Sequence, residues 1–153
     1  MQNDSISQSR RQEWMAELSK AAWSDLRPLW EATAQYDPCE ILRNPETGMV
    51  MIRGRMGGRG QPFNTGEATV TRCSVKSKSG FTGHAYVMGR NKDHARAAAE
   101  LDARLQEQEI QNTLLETVIQ PLKQIRKEKI ERHRRKTAAT KVDFFTLVRG
   151  EDG

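Results

Sequence analysis

Residues 66–89 read GEATVTRCSVKSKSGFTGHAYVMG. Thr69, Val70, Thr71 and Val75 favour extended chain, so Glu67 to Lys76 is predicted to be a strand. Ser77-Lys78-Ser79-Gly80 has the chemistry of a hairpin turn. Phe81 to Gly89 then returns as the second strand. Its two faces are both apolar, with Phe81, Ala85 and Val87 against Tyr86 and Met88. A sheet that is apolar on both sides needs two covers. Helices of the same chain can supply one, and a partner the other.

Upstream, Met49 to Arg55 is strand-like, with Val50 and Ile52 on one face and Met49 and Met51 on the other. Glu40 to Arg43 reads as a short strand. Asn44-Pro45-Glu46-Thr47-Gly48 is dense in turn residues, and Gly54 to Gly66 is a glycine-rich connection. The centre of the chain is therefore a small antiparallel sheet of three or four strands. Helical spacing precedes it. Trp14, Leu18, Ala21 and Ala22 share a face between Arg10 and Ala22. Ser24 is positioned to cap a second helix, Asp25 to Gln35, with Leu26, Leu29 and Trp30 inward. Residues 1–9 are polar and read as a frayed tail.

After the sheet, Asn91 is an N-cap candidate for a long helix striped by Ala95, Ala98, Leu101 and Leu105. Gln106-Glu107-Gln108-Glu109 interrupts that stripe. A second stripe follows at Ile110, Leu114, Val118, Leu122 and Ile125, and Pro121 is expected to kink or break it near Gln120. Val142 to Val148 has the β-propensity of a terminal strand. Helices at the ends and strands between them define an α+β class in a single domain, 1–153.

Composition excludes several functions. Apolar residues are 36% of the 153, and the 11 glycines bring that only to about 43%, below the usual ~45–50%. Part of the chain is thus expected to be solvated or covered by another molecule. No apolar run approaches the ~18 residues of a membrane span, and the polar N-terminus lacks a secretory pattern. Two cysteines cannot build a disulfide framework or a four-cysteine metal or iron–sulfur site, and a cytoplasmic location is expected. A net charge of +5 favours polyanionic partners or phosphorylated ligands.

Four constellations carry possible chemistry. Gly54-Arg55-Met56-Gly57-Gly58-Arg59-Gly60 pairs open backbone N–H groups with arginines, which suits an anion. It lacks the Gly-Lys-Ser/Thr of a Walker loop and the following helix of a dinucleotide fingerprint. A flexible connection in water is the simpler reading, and an RGG-type RNA contact is a third. Glu67 and Arg72 are candidates to pair with each other or meet a ligand. Cys73 with His84, ten residues on, is conceivable as a nucleophile and base across the hairpin, although a buried inert thiol is the plainer reading. No histidine pair has metal-ligand spacing, so no metal site is expected. Lys123 to Lys136 is strongly basic, with Glu128 and Glu131 spaced to pair with Arg132 and Arg135. It reads as a solvated helix face or, alternatively, a docking face for nucleic acid or protein.

One family shares these strings. Residues 43–58, Pro62-Phe63-Asn64 and Gly66 to Val75 resemble the PhnG family, small subunits of the bacterial carbon–phosphorus lyase system. The resemblance continues through Gly83-His84-Ala85-Tyr86-Val87 and Gly89-Arg90, and returns at Val142-Asp143-Phe144-Phe145-Thr146 and Arg149-Gly150. Arg59, Gln61 and Thr65 depart from the commoner residues. The resemblance implies a core assembly with two copies each of four subunits: this one, a nucleosidase subunit, a radical lyase subunit and a third core subunit. Such an assembly acts on MgATP. Together with an associated ATPase-like subunit, it attaches an alkylphosphonate to C1′ of the ribose, displaces adenine, and yields ribose 1-phosphonate 5-triphosphate. The radical enzyme later breaks the carbon–phosphorus bond. Metal and iron–sulfur sites belong to the partners, which implies that this chain holds no cofactor and no catalytic residue.

The residues expected at an interface, or close to substrate, are Arg53, Arg55, Gly57, Gly58, Asn64, Glu67, Arg72 and Arg90. They crowd around the glycine-rich loop within the matched stretch. The competing expectation is an RNA-binding accessory protein that uses the Gly/Arg loop and the basic helix.

Overall fold

The computed structural model describes the backbone of residues 2–149 and the side chains of residues 8–141. Helices α1 (Gln2–Lys20) and α2 (Trp23–Glu31) are followed by three strands, β1 (Glu40–Arg55), β2 (Pro62–Lys76) and β3 (Thr82–Met88). Helices α3 (Lys92–Leu105), α4 (Gln108–Leu114) and α5 (Gln120–Arg149) complete the chain, with one π-helical stretch, Leu115–Ile119, between α4 and α5. The sheet is antiparallel in the order β1-β2-β3. This is the expected α+β architecture.

Helix α3 is the axis of the core. Every residue from Ala97 to Leu105 is buried, together with His94 and Ala95. A helix buried on all sides needs small residues where neighbours come close, and alanines 95, 97, 98, 99 and 103 supply them. The inner face of the sheet packs on α3 through Cys73, Val75, Ala85 and Val87. Trp14 and Leu18 of α1, Leu26 of α2, and Leu114, Val118, Ile119 and Leu122 close the other sides. Asn91 caps α3, its side chain accepting from the His94 N–H at 3.0 Å. His94 Nε2 donates to the Leu18 carbonyl at 2.8 Å, and its ring stacks on Trp23.

The buried polar side chains of α3 are held by neighbouring elements, apart from Arg104 Nε, which has no partner among the described residues. Asp102 is 1% exposed. It accepts from Arg11 Nη2 at 2.8 Å, Trp14 Nε1 at 2.9 Å and the His84 backbone N–H at 3.0 Å. Glu100 accepts from Trp30 Nε1 at 2.8 Å and Arg96 Nε at 3.0 Å. Arg104 donates to Thr33 Oγ1 and to the Asp37 carbonyl. Arg11 and Gln106 also donate to the Thr82 carbonyl, at 3.2 and 2.8 Å. The outer edge of β3 is thus occupied by side chains of α1 and of the end of α3, which blocks strand pairing there.

Several sequence expectations are corrected. The segment expected to fray, 1–9, lies within α1 from Gln2 onward, the helix continuing two turns beyond the predicted start. The expected terminal strand at 142–148 is helical backbone, the end of α5. Extending a formed helix adds one hydrogen bond per residue fixed, whereas an isolated strand has no partner, so weak β-propensity loses. The interruption expected near Gln120 is present as the π-helical stretch Leu115–Ile119, and Pro121 is the second residue of α5. The wider π turn just before it accommodates the missing N–H and the ring that would crowd the Thr117 carbonyl. Asn44 to Gly48 is not a turn: β1 runs through it, with register shifts between Ile41 and Arg43 and between Arg43 and Glu46. Ala22 rather than Ser24 is the N-cap of α2, without a side-chain bond.

Candidate interaction face

The site is built on the β1–β2 hairpin. Its proximal half lies on α3, with Thr71, Cys73 and Val75 buried. Its distal half, Met49 to Glu67, extends past α3 and is solvated on both faces. Alternation places Thr47, Met49, Met51, Arg53 and Arg55 on the side where α3 lies further down. Glu46, Gly48, Val50 and Ile52 fall on the other. The Thr47–Thr71 hydroxyl contact of 3.1 Å fixes the first set, and the Glu46–Arg72 ion pair of 2.9 Å fixes the second. The tip is a tight turn at Met56–Gly58, where Gly57 and Gly58 have φ of 61° and 74°, values that side chains rarely adopt.

The structure locates each expected residue. Arg53 stands opposite Asn64 and Arg55 opposite Pro62, next to the tip, while Glu67 stands opposite Met51. Arg72 lies on the outer face beside Tyr86. Arg90 is exposed just beyond β3, after Gly89, whose N–H donates to the Thr69 carbonyl. Seven of the eight are therefore on one hairpin. They do not converge on a single pocket: ten residues separate Pro62 from Arg72, which at roughly 3.3 Å per residue spans roughly 30 Å. The arrangement suits a long interface better than a small-ligand cradle.

Glu67 and Arg72 do not pair. Five residues apart in a regular strand, they point to opposite faces. Arg72 instead pairs with Glu46, which also accepts from Arg43 at 3.0 Å. The Arg43 hydrogen bond and the Arg72 charge hold the Glu46 carboxyl below the usual carboxylate range. A lowered folded-state value means that this contribution to stability is present above the unfolded value and fades as the pH falls through the folded one. Replacing Arg43 with Gln is expected to move the Glu46 midpoint back up, read by carbon-detected NMR titration of the side chain. An unchanged midpoint would remove Arg43 as the main cause.

The Cys73–His84 pair is likewise not formed. Cys73 opposes Ala85 and faces the core, 1% exposed, its Sγ donating to the Arg43 carbonyl at 3.4 Å. His84 opposes Ser74 on the outer face, with Nδ1 2.9 Å from Ser74 Oγ. Burial pushes the Cys73 thiol up, opposite to what a nucleophile needs. Among the described residues, no group of three His, Cys, Asp or Glu is placed to hold a metal, and no helix is long and apolar enough to cross a membrane.

The basic helix is partly neutralised by its own fold. Lys123 pairs with Glu13, Arg126 with Glu17 at 2.6 Å, and Lys129 with Asp25 at 2.6 Å. Glu131 faces Arg135 as its spacing predicts, at 4.0 Å, whereas Glu128 accepts from Gln124 instead of pairing with Arg132. The glycine-rich loop is an ordered turn between paired strands. The RNA-binding alternative finds no support in these two elements.

Sequence reasoning missed Asp102, Glu100 and Arg104 as buried polar anchors. The alanines on every side of α3 were the available signal, because a helix with small residues all round has no solvent side for its charges.

Comparison with known proteins agrees with this picture. The family described as phosphonate metabolism protein PhnG matches residues 9–150. The α-D-ribose 1-methylphosphonate 5-triphosphate synthase subunit PhnG of Rhizobium meliloti (strain 1021) is 41% identical over 153 residues, covering 98% of this chain and 96% of that protein. A match spanning all three strands, the hairpin and the packed helices is a match of the whole fold, and the chain belongs to the PhnG family of phosphonate metabolism proteins.

Proposed function

We propose that this chain is a non-catalytic subunit of the complex that makes α-D-ribose 1-methylphosphonate 5-triphosphate, and that it acts by completing and shaping partner subunits. The observation that carries the reading is the 41% identity, over nearly the full length of both chains, to a named subunit of that synthase. The uncovered sheet surface supports it, since apolar side chains such as Met49 and Met51 of β1 and Tyr86 and Met88 of β3 are each at least 60% exposed. In this reading the partners are the nucleosidase subunit, the radical lyase subunit and a third core subunit, two copies of each. The partners bind MgATP and carry the metal and iron–sulfur chemistry, so the alkylphosphonate replaces adenine at C1′ on their surfaces. A cytoplasmic assembly is supported by the two free cysteines.

The test is co-production of the tagged full-length chain with the other synthase subunits, followed by native mass spectrometry and growth on methylphosphonate as the phosphorus source. The expected result is an assembly of fixed stoichiometry with two copies of this chain. Arg53→Ala or Glu67→Ala should lower its yield severalfold and slow growth. A wild-type chain that stays monomeric among its partners would overturn the reading.

A further inference from the structure

The distal hairpin has a shape that a flat partner cannot satisfy. Met49 and Met51 are exposed on one face, Val50 and Ile52 on the other, and Met56 and Phe63 at the end. A two-stranded ribbon is marginal in water, and apolar side chains on both of its faces call for burial on both. Docking one face against a surface would leave the other wet. The tip adds charge: Arg53, Arg55 and Arg59 stand against a single carboxylate, Glu67, over residues 49–67. None of these three arginines makes an ion pair among the described residues. The edge strand β3 is blocked by Arg11 and Asp102, so the free structural element of the sheet is this arm and not its other end.

We infer that residues 49–67 are an insertion arm that enters a cleft of one other subunit of the complex, a cleft with apolar walls and an acidic floor. The inference rests on the proposed subunit role and names the mode of contact that role uses. The walls cover the Met49/Met51 and Val50/Ile52 faces together. The floor neutralises the arginines at the tip, a complementarity that fixes register and orientation as well as attraction. The strands are joined by residues 56–61, half of them glycine, which keeps the end of the ribbon narrow for entry into a cleft.

The experiment uses the full-length chain within the co-produced complex. A benzophenone amino acid is placed singly at Met49, Val50 or Met56. All three positions are expected to cross-link to one and the same subunit, and the Met56 adduct to map beside Asp and Glu residues. The double charge reversal R53E/R55E should lower recovery of the complex at least tenfold. The thermal midpoint of the chain itself should not change, because the arm lies outside the core. Cross-links from only one face, or to a second copy of this chain or to nucleic acid, would overturn the arm. So would wild-type recovery of R53E/R55E. If the wild-type chain forms no complex at all, the subunit reading fails with it. If the complex forms but these cross-links do not, the arm alone fails.

Discussion

Replacing Asp102 with Ala is expected to destabilise the protein by about 3–5 kcal/mol, the cost typical of breaking a buried charged network by removing one partner. Asp102 is a single carboxylate that ties three elements together. Arg11 and Trp14 come from α1, and the His84 N–H comes from β3. Without the carboxylate, the indole N–H of Trp14 and the edge N–H of His84 lose their acceptor in a water-poor site. Each such orphan costs about 1–3 kcal/mol. Arg11 is one-third exposed and can turn to water, so it adds less. Domains of this kind have only about 5–15 kcal/mol in total, so the loss should lower the thermal midpoint by roughly 10 °C. Urea unfolding followed by tryptophan fluorescence measures it. Arg11→Met should cost less than Asp102→Ala, and the double variant should fall well short of the sum, because both act on one network. An Asp102→Ala variant within about 1 kcal/mol of wild type would mean that the network does not hold α1 to the sheet.

That network also marks how far the sequence could be read. The hairpin at Glu67 to Gly89 was legible because β-branched residues alternate on both sides of a serine- and glycine-containing turn, and local chemistry dominates there. The N-cap at Asn91 and the break after Leu105 were legible for the same reason. The turn expected at Asn44 to Gly48 was not, because its residues are bulged within a strand that long-range pairing to Arg72 and Ser74 holds extended. The terminal strand failed in the opposite direction: the helix already running from Gln120 outweighed local preference at Val142 to Val148. The residues expected at an interface stay together in the fold, since the glycines and arginines cluster in sequence and one hairpin keeps seven of the eight in a row. Their pairing was misassigned. Glu67 and Arg72 are near in sequence, yet alternation sends them to opposite faces, while Glu46 is brought to Arg72 from 26 residues away. Nearness along a strand is a poor guide to nearness in space.

Gly83→Val is expected to abolish folding of the chain, and Gly83→Ala to destabilise it at the upper end of the about 1–3 kcal/mol usual for overpacking, or beyond. Gly83 lies on the inner face of β3 where α3 passes against the strand. A β-carbon added there would sit 2.0 Å from the Ala99 carbonyl oxygen, 2.6 Å from the Ala103 nitrogen and 2.8 Å from the Ala103 Cβ. The first two obstacles are helix backbone, which cannot rotate away as a flexible side chain would. Relief therefore requires α3 to move off the sheet. Asp102 sits between Ala99 and Ala103 in sequence and bonds the neighbouring His84 N–H, so that movement also breaks the network just described. The two glycines of the hairpin tip offer the contrast. A β-carbon added at Gly57 or Gly58 would meet nothing within 4 Å, and the strain there is confined to a turn outside the core. Substituting Ala at Gly57 should cost far less, about 1 kcal/mol from backbone conformation alone. The yield of soluble protein and its urea midpoint separate these outcomes. If Gly83→Ala matches Gly57→Ala in stability, then α3 does not pack against β3 at backbone contact, and the sheet is not anchored as this fold requires. If Gly83→Ala is crippled while Gly57→Ala is folded and fails only to assemble, then core and arm are separable parts of one chain: one holds the fold, the other presents it to a partner.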